Sequence, residues 1–133
     1  MAKYMFDVEL FNRILDDYFE NIKESSNNNE YYVTKEQFKK TDNKSKSIFN
    51  IIDKNIIDIQ NYETAMSLLD DIKEDANNSQ NAYIIEVCKA CGYTLVSNEK
   101  HMAEIIWKYG GNVKSLREFL KAINCDRYKD LMP

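Results

Sequence analysis

Cys88-Lys89-Ala90-Cys91 sets two thiols three residues apart. Two thiolates at that spacing can share one tetrahedral zinc ion. A closed site needs two more ligands, and His101 and Cys125 are the candidates. Their spacing matches no zinc pattern. The alternative is two buried cysteines in step with Ile84 and Val87, since a free cysteine packs as a small hydrophobe. A thioredoxin-type redox pair opens a helix, whereas this pair closes one at Gly92. No zinc and no other cofactor is therefore expected.

His101 is the single histidine and the only side chain whose ordinary pKa suits acid–base work near neutrality. It falls in the first turn of a helix, with no oxyanion loop to complete a triad. No glycine-rich phosphate cradle is present either. The expectation is that the protein is not an enzyme.

Asp70-Asp71 and Glu74-Asp75 form a dense acidic run. On one helix the spacing of four sets Asp70 beside Glu74 and Asp71 beside Asp75. Such a surface is either a solvated face or a platform for a basic partner, steered by long-range charge. Trp107, the only tryptophan, lies beside the apolar stripe of its helix. It is either a peripheral core anchor or an exposed anchor for a partner.

The elements that must position these residues read as helices. Ser97 to Ile123 is organised as a helical hairpin. Ser97 is the cap, Met102, Ile105, Ile106 and Tyr109 are one face, and Gly110-Gly111 is the stop. Asn112 then caps a second helix with Val113, Leu116, Phe119, Leu120 and Ile123 as its stripe. The first helix starts at Asp7, with Phe6 and Phe11 as a hydrophobic staple, and its stripe runs to Ile22. Thr34 and Gln37 make a capping box. Phe38, Thr41, Ser45, Ile48, Ile52, Ile56 and Ile59 keep helical spacing, as one long helix or as two broken near Asp42. Asn61 caps another helix, 76–81 is a loop, and a further helix ends at Gly92. Tyr31–Val33 and Tyr93–Val96 are short extended patches that pair in a minor two-stranded element. The predicted fold is all-α: residues 1–133 form a single domain, a compact bundle of five to six amphipathic helices.

Composition bounds the partner. The chain has 133 residues and a net charge of −4. Residues 1–98 carry 11 basic and 17 acidic groups, a balance of −6; residues 99–133 carry 7 and 5, a balance of +2. An acidic body repels phosphates and disfavours non-specific nucleic-acid binding. No apolar run approaches a membrane span, and MAKYMFDVEL lacks a signal-peptide core. Three cysteines are not a disulfide framework, so a cytoplasmic location is expected.

Residues 103–131 resemble, over about a fifth of the chain, the helix-turn-helix of Fis-type bacterial DNA-binding proteins. The shared features are Gly111-Asn112, a helix with Leu120 and a second helix near Asp126. The resemblance implies a DNA-binding regulator. Arg127 and Lys129 would approach DNA, and Lys114, Arg117 and Lys121 would lie on phosphates. The leading expectation is instead a stoichiometric protein–protein interaction with a larger, basic partner. Immunity-type inhibitors of phage or mobile-element origin share this profile of size, charge and missing catalytic groups. Asp70, Asp71, Glu74, Asp75 and Trp107 are its predicted contacts. A small zinc protein or enzyme is the third reading.

Overall fold

The computed structural model describes residues 1–42, 46–52 and 58–132. It corrects the all-α expectation: the chain is α/β, built on a five-stranded parallel sheet in the order β3-β2-β1-β4-β5. The strands are β1 (Ala2–Phe6), β2 (Asn29–Val33), β3 (Phe49–Ile51), β4 (Thr94–Val96) and β5 (Asn112–Lys114). The helices among the described residues are α1 (Val8–Asp17), α2 (Phe19–Ser25), α3 (Lys35–Lys39), α4 (Ile59–Ile72), α5 (Asn78–Cys91), α6 (Lys100–Lys108) and α7 (Leu116–Ala122). A short 3-10 turn follows at Asp126–Asp130.

Parallel strands covered on both faces need apolar residues at every position, not at alternate ones. Tyr4-Met5-Phe6 shows this. Tyr4 and Phe6 enter one core with α1, α2 and α7, and Met5 enters the opposite core with α4, α5 and α6. The layers are therefore helix, sheet, helix. In the first core Phe119 of α7 sets its ring edge-on against Tyr4 at 4.9 Å and Phe6 at 5.3 Å.

Several local expectations hold. Asp7 caps α1, and Phe6 meets Phe11 with ring centroids 6.3 Å apart. Thr34 and Gln37 form the capping box of α3. Gly92 closes α5 with φ 71°, and Gly110 follows α6 with φ 78°.

Others are corrected. The first helical stripe is broken at Tyr18 into α1 and α2. The stretch from Thr34 to Ile59 is neither one helix nor two, because Phe49–Ile51 is the edge strand β3. The expected positions Ser45 and Ile56 lie outside the described residues. Asp58, not Asn61, caps α4, and α5 begins at Asn78 inside the expected loop. The patches Tyr31–Val33 and Tyr93–Val96 contribute strands that flank β1 and do not pair with each other, although the Tyr32 and Tyr93 rings stack at 4.3 Å. The helical hairpin is in fact α6, β5 and α7: Gly110-Gly111 leads into a strand, and Ser115, not Asn112, caps α7. Val113 pairs with Leu95 in the sheet.

Glu86 on α5 is 3 % exposed, and its Oε1 has no hydrogen-bond partner among the described residues. Burial raises its pKa, Lys89 pulls it down and Asp58 pushes it up. A carboxyl raised in the folded state stabilises most when protonated, and that contribution is lost as pH rises through the folded pKa. Glu86→Gln is therefore expected to gain about 1 kcal/mol at neutral pH, and less on acidification. Urea unfolding of both proteins across pH checks this.

Candidate functional site

In doubly wound sheets, ligands sit beyond the carboxyl ends of the strands, where the strand order reverses. Here that point lies between β1, which leads outward to β2 and β3, and β4, which leads to β5. Phe6 and Val96 are register partners, so Asp7 and Ser97 emerge side by side.

Most polar groups at this point hold the strand ends together. Asp7 donates its N–H to the Val96 carbonyl at 3.2 Å. Its Oδ1 accepts from the Leu10 N–H at 2.7 Å, and its Oδ2 accepts from the Ser97 hydroxyl. Ser97 Oγ also accepts from the Glu99 N–H at 3.0 Å. Asn81 Oδ1 caps the Val8 N–H at 3.0 Å, and Asn98 Oδ1 caps the Leu116 N–H at 2.8 Å. Glu99 caps α6 through the His101 N–H. Gln37 donates to the Phe6 carbonyl at 2.9 Å. Apart from the Ser97–Asp7 side-chain bond, each satisfies a backbone group that a strand or helix end leaves free.

Asp7 is 5 % exposed. Burial raises its carboxyl pKa, the Ser97 and Leu10 hydrogen bonds lower it, and the charges of Glu9 and Glu99 raise it further. Both its oxygens are engaged. It is placed to hold the loop rather than to take a proton from a substrate.

Beside this network lies a cavity of about 260 Å³ between α4, α5 and α6. Glu9, Asp75 and Glu99 supply exposed carboxylates, and Leu69, Ile72 and Met102 supply an apolar wall. Lys73 and His101 also line it. His101 Nδ1 lies 3.7 Å from Glu104. Two further depressions continue along the carboxyl edge of the sheet. Glu99 lines all three, and Arg13 and Asn98 line the last two.

The acidic run does not lie on one helix, because α4 ends at Ile72. Asp70 accepts from the Asn78 side chain at 2.7 Å, and Asp75 accepts from the Asn77 N–H at 2.8 Å. Both organise the turn into α5. Asp71 and Glu74 are exposed, and of the four only Asp75 lines the cavity. Trp107 is 78 % exposed on the outer face of α6. It lies about 7.5 Å along the helix axis from Met102.

The basic residues named by the Fis-type resemblance do not flank a helix-turn-helix. Lys114 lies in β5. Arg117, Lys121 and Lys129 gather on the Tyr128 ring at 5.4, 5.8 and 6.0 Å. Arg127 covers Tyr18 at 4.3 Å and donates to the Asp17 carbonyl. Cys88 faces the core, where burial pushes its thiol pKa far up; Cys91 is half-buried. Among the described residues no group of three or more His, Cys, Asp or Glu is placed to hold a metal ion. No helix among them is long and apolar enough to cross a membrane.

Sequence reasoning missed Asp7, Asn81, Ser97, Asn98 and Glu99 as one constellation. The signal was present: β1, β2 and β4 each end in an apolar residue followed directly by a polar one whose side chain accepts a nearby backbone N–H, as at Phe6-Asp7, Val33-Thr34 and Val96-Ser97.

The strand order and two-sided helical cover define a doubly wound α/β protein, a class that hosts many unrelated functions. No protein-family model and no curated protein matches the chain.

Proposed function

We propose that the protein is a non-enzymatic, stoichiometric binding protein of the cytoplasm that captures a basic protein partner. The partner seats one lysine or arginine side chain in the crevice at the β1/β4 switch point. One contrast carries this reading. Asp7 at the strand ends is buried with both oxygens engaged, while Glu9, Asp75 and Glu99 stand exposed around an apolar wall, Asp75 and Glu99 each also accepting one backbone N–H. The methylenes of a long basic side chain lie on Leu69, Ile72 and Met102, and its cation meets the carboxylates. The cavity, of about 260 Å³, has room for one such side chain. The three free cysteines agree with a reducing compartment.

The test uses amide variants that keep the cap at Asp75 and remove charge. Glu9→Gln with Asp75→Asn is expected to weaken binding of a lysine-bearing peptide about tenfold in low salt, a coupling near 1.4 kcal/mol. Its melting temperature should stay near that of the parent. Unchanged affinity and unchanged salt dependence would end the proposal.

A further inference from the structure

The acidic crevice is one end of a longer groove whose other end is basic. The far depression, of about 520 Å³, lies over the carboxyl ends of β4 and β5 and carries Arg13, Lys100 and Arg117. Arg117 Nε is buried there without a hydrogen-bond partner among the described residues. Glu99 and Glu118 line the same depression, so its excess of positive charge is small. A single carboxylate suits that balance. A polyanion would bring repulsion from both glutamates and from a chain of net charge −4.

We infer that the groove reads an extended peptide segment of the partner by paired charge: a basic residue in the β1/β4 crevice and an acidic residue over β4 and β5. This rests on the binding reading above and adds a second charge and a spacing to it. Adjacent strands are about 4.8 Å apart, so the two charge sites are separated by roughly 5–10 Å. An extended chain advances about 3.3 Å per residue and points alternate side chains the same way. The acidic residue therefore lies two positions from the basic one, on the same side of the segment. The continuity of the lining through Glu99, Arg13 and Asn98 makes the two sites one surface.

The experiment is an amide-shift NMR titration of the full chain with three synthetic hexapeptides. One carries Lys at position 2 and Glu at position 4, one carries Lys and Gln, and one reverses the Lys and Glu. One of the two peptides that carry both Lys and Glu should bind at least fivefold tighter than the other two peptides. Arg13→Gln with Lys100→Gln should erase that margin without weakening the Lys-and-Gln peptide. Equal affinity for all three, or a margin that survives in the double variant, overturns the inference and leaves the acidic crevice standing. Failure of every peptide to bind overturns both. A decathymidine strand that binds tighter than the peptides, and loses this in the same double variant, would reassign the groove to nucleic acid and also overturn the inference.

Discussion

Replacing Phe119 by alanine is expected to cost about 3–5 kcal/mol, enough to remove most of the stability of a small domain. The ring is fully buried, and three aromatic rings meet it edge-on: Tyr4 at 4.9 Å, Phe6 at 5.3 Å and Tyr31 at 6.1 Å. Two central strands and α7 share that contact, so no single element can shift to fill the void. Phe119→Leu keeps most of the volume and should cost much less, because the rest of the pocket can close on it. Urea unfolding followed by far-ultraviolet circular dichroism separates the two variants. A loss below about 1 kcal/mol for the alanine variant would mean that α7 does not seal the sheet as described.

Asp7→Ala should be the second most damaging change, at about 2–4 kcal/mol. It removes the cap on Leu10 and strands the Ser97 hydroxyl, both buried. Asp7→Asn makes a sharper test. Its carbonyl still accepts from Leu10 and its amide can donate to Ser97. It also removes a buried charge that faces Glu9 and Glu99. Burial first, then those two carboxylates, raise the Asp7 pKa above the ordinary range, against the hydrogen bonds from Ser97 and Leu10. The protonated form is thus the stabilising one. Its contribution is complete below about pH 4 and is lost as pH rises through the folded value. Asp7→Asn is therefore expected to equal the parent in acid and to match or exceed it at neutral pH. A large loss at neutral pH would show that the charge itself is needed.

The helices of this fold were legible because their apolar residues recur every three to four positions. Met102, Ile105 and Ile106, the cap at Asp7 and the box at Thr34 and Gln37 all read correctly. The sheet was hidden for a physical reason. Its strands are three to five residues long and packed on both faces, so Tyr4-Met5-Phe6 or Thr94-Leu95-Val96 shows no alternation. β5 misled most: Val113 continues the helical spacing of Leu116 and Leu120, yet the chain there is extended. The site went unseen with the sheet, since Asp7, Asn81 and Ser97 become neighbours only when β1 pairs with β4. Asp75 alone links the predicted acidic surface to the crevice.

That pairing also orders events in time. The innermost strand is made before the rest of the sheet, yet one of its two neighbours arrives some ninety residues later, and the ring that meets its face edge-on arrives later still. Until Phe119 is clear of the exit tunnel, its edge-on contacts to Tyr4 and Phe6 are missing from that core. Completion of the sheet therefore waits on contacts distant in the chain, which slow folding, and a nascent chain stalled near Gly110 would be a substrate for chaperones.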